Sequence, residues 1–419
     1  MTTFSAEKIR QDFPLIKHHH KTLAFLDSAA SSQKPHQVIE RMDRYYRYEH
    51  ANIHRGLYAL SEKATQAYEQ SRTTVADFLT APDPKEVIFT RGCTEAINLV
   101  AHGLSHSKLS ARSEVILSVA EHHANIVPWQ MLAKKIGFKL HFLPLTENGV
   151  VDIEVLKELL SERTTLVSIA HVSNVLGTIQ PVQAISQLCK DAGCYFMLDG
   201  AQATPHLEVD VTSLGVDFYV FSSHKMCGPT GVGVLWGKRQ HLEEMPPYHG
   251  GGDMIEKVTV DGFSITDIPH KFEAGTPHIA GVIGLEAAII YLKSLDRLGA
   301  LNHDIELGIY LREALRSFPY IRTYCPNTTA SALTCTSFLE ASWVGIVSFS
   351  HLKIHAHDLA CFADTYGVAL RAGHHCAMPL HSYLKTSSTL RASPYLYNNC
   401  ADVDRLIEAL HAAEKVFLA

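Results

Sequence analysis

From about residue 86 the chain alternates short apolar, β-rich runs with stretches whose apolar residues recur at helical spacing. EVIFT precedes a helical segment from Thr94, EVILSV precedes 124–136, and KLHFLP precedes 152–160. TTLVSIAHV, a helix over 181–191, YFMLD and FYVFSS continue the alternation. This pattern predicts a largely parallel sheet with helices on both faces, because each parallel crossover needs a covering element. Chemistry is then expected where strands end. A Gly-rich reversal, Gly228 to Gly233, turns the chain into VGVLWG, which suits an antiparallel addition to the sheet. The stretch 246–278, rich in Pro, Gly and polar residues, reads as a functional loop or interface segment. A helix over 279–297 leads into a second unit, with helices over 301–317, 357–366 and 401–417 and strands over 345–350 and 367–372. The expected organisation is a large domain over 21–296 and a smaller α+β domain over 297–419, joined by 1–20.

Composition adds mainly exclusions. At 419 residues, 46% hydrophobic and 19% charged, the chain can bury a large core. The net charge of -6, from 37 basic and 43 acidic residues, gives no basic excess, and no Lys/Arg-rich run points to nucleic acid or an anionic membrane. No apolar stretch reaches the roughly 20 residues needed to cross a bilayer, and Met1 to Lys8 lack the apolar core of a secretory signal. A cytoplasmic protein is expected. Nine cysteines without a Cys-x-x-Cys pair predict reduced thiols rather than a disulfide framework or a thiolate zinc site.

Two strand ends carry the most specific signal. Asp199 closes the run Tyr195 to Asp199, and Lys225 follows the run that ends Phe221-Ser222-Ser223-His224. A lysine amine that can condense with an aldehyde, and a carboxylate that keeps a pyridine nitrogen protonated, are what pyridoxal phosphate chemistry requires. Asp199 alone would be a solvated strand end or a turn cap. Gln202, one helical turn on, can donate to the cofactor's phenolate oxygen. The phosphate needs N–H groups at a helix start plus hydroxyls, which Arg91-Gly92-Cys93-Thr94 supplies after a strand, with Ser222 and His224 as further donors. His122, just past EVILSV, can stack on the ring and exchange protons near neutral pH.

The second concentration is Leu370-Arg371-Ala372-Gly373-His374-His375-Cys376-Ala377. His-His-Cys could ligate a metal, although adjacent side chains rarely converge on one ion. The alternative is a nucleophilic Cys376 in a loop, with imidazoles near enough to favour the thiolate. Arg371 and Arg391 lie on expected strands, where a guanidinium fork suits an amino-acid carboxylate, and Asn174 could complete that clamp.

Taken together the residues resemble class-V aminotransferase-fold enzymes, specifically the SUF-type (group II) cysteine desulfurases and selenocysteine lyases. The resemblance runs from Leu26-Asp-Ser-Ala-Ala30 and His54-Arg-Gly56 through Glu121 to Trp129, His171 to Gly177, Asp199 to Gln202, Phe272 to Pro277, and Arg371 to Pro379. It implies a pyridoxal-phosphate-dependent transferase of fold type I, with a mostly parallel seven-stranded sheet sandwiched by helices plus a smaller α+β domain. It further implies Lys225 as the cofactor-bearing lysine, Asp199 and Gln202 as ring partners, and His122 as the stacking acid–base. Thr94, Ser222 and His224 would hold the phosphate, and Thr276 would reach the phosphate of the other subunit of a homodimer. Asn174, Arg371 and Arg391 would take the substrate carboxylate, and Cys376 the sulfur. The implied reaction converts L-cysteine to L-alanine and hands the sulfur to an acceptor protein of the SUF system for iron–sulfur cluster assembly. L-selenocysteine as substrate and a non-catalytic sulfur-carrier scaffold are the alternatives. The chain departs from the family at Cys93 (usually Thr), Ser223 (usually Gly), Cys227 (usually aromatic) and Ala372 (usually Thr). The stretch from Cys325 to Val344 is longer than expected and reads as a surface insertion.

Overall fold

The computed structural model describes residues 4–326 and 335–419. The apolar runs form a seven-stranded sheet from β2 (Val87–Thr90), β3 (Glu114–Ser118), β4 (Lys139–Leu143), β5 (Thr164–Ala170), β6 (Tyr195–Asp199), β7 (Phe218–Ser222) and β8 (Gly233–Gly237). Their spatial order is β2-β8-β7-β6-β5-β3-β4. Neighbouring strands from β7 through β4 pair in parallel, while β8 pairs antiparallel with both β7 and β2. Every residue of β3, β7 and β8 is buried, the signature of a sheet covered on both faces. This is the α/β architecture of fold type I.

Helix ends follow local chemistry. Asp152 accepts the N–H groups of Glu154 and Val155 to start the helix Ile153–Leu159, and Gly193 closes Val182–Ala192 in the left-handed region at φ 67. The expected single helix over 279–297 is two: Ile279–Ser294 stops at an extended Leu295, and Asp296 caps Arg297–Leu315 by accepting from Gly299 N–H.

Beyond these helices a second, antiparallel sheet runs β11 (Ile321–Thr323), β12 (Val347–His351), β15 (Thr389–Ala392) and β14 (Arg371–Gly373). The expected strand over 367–372 is broken at Leu370, because β13 (Val368–Ala369) pairs in parallel with β1 (Ala24–Phe25) while β14 pairs with β15. The helix Cys400–Phe417 packs on this unit from a capping box between Asn399 and Asp402, and a buried Arg10–Asp402 ion pair of 2.8 Å ties the amino terminus to it.

Two readings need correction. The stretch 246–278 is not irregular throughout, since β9 (Ile255–Val258) and β10 (Phe263–Ile265) form an exposed hairpin within it. The expected surface insertion 325–344 falls partly on 327–334, outside the described residues. Its end is no surface element: Trp343 is buried and donates to the carbonyls of Leu176 and Ile346, and Val344 N–H donates to Gly177 O.

Candidate active site

The carboxyl ends of β3, β5, β6 and β7 open on one cavity of about 250 Å³, lined by His122, Asn174, Asp199, Gln202, Ser222, His224, Lys225, Thr94, Arg371, Arg391 and Cys376. Every site residue expected from the sequence except Thr276 therefore faces a single space. Thr276 lines a separate cavity with Arg91, Glu95 and Gly231.

Lys225 ends a single 3-10 turn, Ser223–Lys225, directly after β7. Burial pushes its amine below the ordinary value while the charge of Asp199 pulls the other way. Asp199, at the end of the neighbouring β6, accepts from Ala201 N–H at 2.9 Å and from the Cys93 thiol at 3.2 Å. The unusual Cys93 therefore touches the carboxylate rather than a phosphate position. Burial first, then Asp199, drives its thiol well above the usual range. Its N–H donates to Ser222 Oγ at 2.8 Å. Thr94 and His224 line both this cavity and an adjoining one of about 480 Å³. Closeness here is exacting: a Cβ on Gly233 would lie 2.4 Å from Gly92 Cα, so the start of β8 admits only glycine.

Ser223, which stands where the family usually has Gly, is not among the residues with positive φ, whereas Cys227 is, at 67°. Gln202 donates to Ala29 O at 2.7 Å through Nε2. His122 Nδ1 accepts Ala124 N–H at 3.1 Å, and burial, reinforced by Lys225, pushes the imidazole down to about 4.

The loop that carries Cys376 is held at both flanks. His123 N–H donates to Cys376 O at 2.7 Å, and Asn174 Nδ2 donates to His375 O at 2.8 Å. His375 and Cys376 both adopt left-handed backbone, at φ 50 and 56. Two successive non-glycine residues there are strained and persist only because the surroundings fix them. Cys376 is exposed. The sequence expectation that neighbouring imidazoles serve its thiol is corrected for His375, whose Nε2 pairs with Thr389 Oγ1 at 2.9 Å and which burial pushes to about 2.

Arg391 is buried, donates from Nη1 to Asn174 O at 2.9 Å, and has no partner for Nε. Burial lowers it to about 10 despite the nearby Asp27 carboxylate. Arg371 and Arg391 both donate to Asp27, at 3.0 and 3.4 Å. Asp27 was not singled out from the sequence; its place in Leu26-Asp-Ser-Ala-Ala30, where β1 meets the strand-15 region through an Asp27–Ser393 bridge, explains the contact.

The set fits pyridoxal phosphate. It offers a buried amine, a carboxylate opposite it at the next strand end, hydroxyls beside the helix start at Cys93, and an unpartnered buried guanidinium N–H for a substrate carboxylate. One consequence concerns pH. His122, His171 and His224 are all held at about 4 by burial, against an ordinary 6.5. A folded value below the unfolded one gives stability that is complete above 6.5 and lost as pH falls toward 4, on the order of 3 kcal/mol at most for each group. Urea midpoints of the cofactor-free protein are expected to fall steadily from pH 6.5 to 4; a flat profile there would refute the burial of these imidazoles as neutral groups.

The aminotransferase class-V family profile matches residues 24–406. A probable cysteine desulfurase of Synechocystis sp. is 44% identical over 414 residues, covering 98% of this chain and 96% of that protein. A cysteine desulfurase of Yersinia pestis is 44% identical over 416 residues and 99% of both. Among solved structures, the cysteine desulfurase CsdA of Escherichia coli, in an S-sulfonic acid form, superposes with a TM-score of 0.90 at 38% identity, covering 99% of this chain and all of that one. The apo cysteine desulfurase of Thermococcus onnurineus gives 0.90 at 36% identity, with 98% of each chain covered.

Proposed function

The chain belongs to the class-V aminotransferases and, within them, to the cysteine desulfurases, and from that membership we propose that it takes the sulfur of L-cysteine onto Cys376 as a persulfide and releases L-alanine. The observation that carries this is the convergence of Lys225, Asp199, Arg391 and the exposed Cys376 on one cavity. The cofactor is pyridoxal phosphate, which when bound draws electron density from the substrate's Cα into its ring and so weakens the Cα–H and Cβ–S bonds. Lys225 holds it covalently at rest and, once free, removes the Cα proton; its burial-lowered proton affinity suits an amine that must act as a base. Asp199 would keep the ring nitrogen protonated, Gln202 would serve the phenolate oxygen, and His122, neutral at physiological pH, would stack on the ring. Thr94, Ser222 and His224 would hold the phosphate, and Thr276 would complete that site in the partner subunit of a homodimer. Asn174, Arg371 and Arg391 receive the substrate carboxylate.

The Cys376 thiolate attacks the substrate sulfur. A sulfur–sulfur bond forms as the Cβ–S bond breaks, its electron pair stays on carbon, and protonation of Cβ together with return of the proton from Lys225 to Cα yields L-alanine. A sulfur-acceptor protein of the SUF system then discharges the persulfide toward iron–sulfur cluster assembly. On this reading the chain divides into a large domain over 21–296 and a small one over 297–419 joined by 1–20, and it works in the cytoplasm, in keeping with nine free cysteines. Among the described residues no helix is long and apolar enough to cross a membrane.

The test is alanine released from L-cysteine by the purified protein under reducing conditions, run beside L-selenocysteine. Stoichiometric alanine and sulfide from cysteine support the proposal. Turnover of selenocysteine alone would make the chain a selenocysteine lyase, and a colourless, inert protein would leave a scaffold.

A further inference from the structure

The carbonyl of His224, the residue before Lys225, is gripped from one segment. Ser32 N–H donates to it at 3.1 Å, the hydroxyls of Ser31 and Ser32 lie at 3.2 Å, and Lys34 Nζ donates at 3.1 Å. A carbonyl has two lone pairs, so the backbone N–H and one hydroxyl would already satisfy it. Lys34 Nζ also donates to Ser32 O and to Ser31 Oγ, and Ser32 Oγ accepts Cys227 N–H at 2.8 Å just beyond the turn. Among the described residues no carboxylate lies within ion-pair distance of Lys34. Burial pushes its ammonium down to about 8, which still leaves it mostly protonated near neutrality. A half-buried cation held only by carbonyls and a hydroxyl is an expensive way to satisfy a backbone group, unless the charge itself is needed.

We propose that Lys34 is a positioning residue for Lys225: its ammonium, acting through the His224 carbonyl, fixes the backbone turn from which the Lys225 amine reaches the cofactor and the substrate's Cα. This rests on the proposed cofactor role of Lys225. The turn has little of its own to hold it. It is one 3-10 turn, it runs into the left-handed Cys227, and Ser223 Oγ inside it is buried without a partner. Lys225 must nonetheless exchange its bond to the cofactor for work as a base in each cycle, and a backbone that shifted with the side chain would lose its aim. The same segment pins the other side of the site, since Gln202 donates to Ala29 O, and it is moored to the second unit through Gln33 N–H and Ser28 Oγ, both on Tyr397 Oη. Lys34 thus sits at the crossing of the cofactor strands and the segment that follows Arg391.

The test compares the holoenzyme with Lys34→Met, Lys34→Gln and Lys34→Arg. Three quantities are read: the rate at which the visible band of bound cofactor is lost, the fraction of Lys225 trapped by borohydride as a mass-tagged peptide, and the kcat and KM for L-cysteine. Lys34→Met and Lys34→Gln are expected to release cofactor about tenfold faster and to lose about tenfold in kcat, with KM within about twofold. Lys34→Arg, which keeps the charge, is expected to restore both to within about threefold of the parent. Gln serves where Met does not fold. A role confined to folding would lower the urea midpoint of the cofactor-free protein and leave the kcat-to-KM split and the trapping untouched. Neutral variants that keep cofactor and kcat, or an Arg variant that restores nothing, would overturn the proposal. A parent protein with no trappable Lys225 would instead overturn the proposed function, before any variant is made.

Discussion

Cys376→Ala is expected to lower alanine formation from L-cysteine by at least about a thousandfold while leaving the visible band of the bound cofactor in place. Among the described residues only two thiols line the cavity, Cys93 and Cys376. Cys93 is buried, bonded to Asp199 and driven well above the usual thiol range, so it offers no thiolate at neutral pH. Cys376 is exposed, sits on a strained left-handed step, and lies near enough to Lys225, Arg371 and Arg391 for its charge to raise the proton affinity of all three. Nothing in the cofactor's grip involves its side chain, so binding and release of the Cα proton survive the substitution and sulfur transfer does not. The measurement is alanine by amino-acid analysis, with proton exchange at Cα followed in deuterated water. Exchange without alanine is the expected pair of results. Alanine at the parental rate would remove Cys376 from the reaction.

How far the site was legible depended on whether a residue's chemistry shows in its own position. Asp199, Lys225 and His122 were readable because each follows an apolar run, and a parallel sheet brings run ends to one edge without any knowledge of pairing. Asp27 and Lys34 act through contacts 364 and 190 residues away in sequence, and no local pattern encodes such partners. The direction of the Cys93 thiol was equally hidden, since it depends on Ser222 taking the N–H and turning the helix start. Some misses were local and avoidable. Asp261-Gly262 between Val258, Val260, Phe263 and Ile265 is a strong hairpin signal, overlooked because the surrounding Pro and Gly suggested a loop. Asp296 three residues before Gly299 is likewise an N-cap inside what read as one long helix. The split at Leu370 was not recoverable, because one apolar run serves two sheets and composition does not register the change of partner.

Lys225→Ala is expected to have the other large effect, a loss of at least about ten-thousandfold in turnover of L-cysteine, together with loss of borohydride-trappable cofactor. Two functions disappear at once. The covalent hold goes, so retention rests on Asp199 and the hydroxyls at the helix start. The base goes as well, and no imidazole lining the cavity can replace it: His122 and His224 are held at about 4 and His375 at about 2, all too weakly basic to take a Cα proton. The buried Lys225 amine is depressed by desolvation and partly restored by Asp199, so it gives up its proton more readily than an exposed lysine would. The two losses can be told apart by adding a small primary amine to the variant. If only the base is missing, methylamine restores part of the turnover, and its effect rises with pH as the free amine accumulates. If the turn gripped at His224 has collapsed, it restores none and the variant also fails to retain cofactor. A Lys225→Ala protein within about tenfold of the parent would place the reacting amine elsewhere, and with it the reading of the whole cavity.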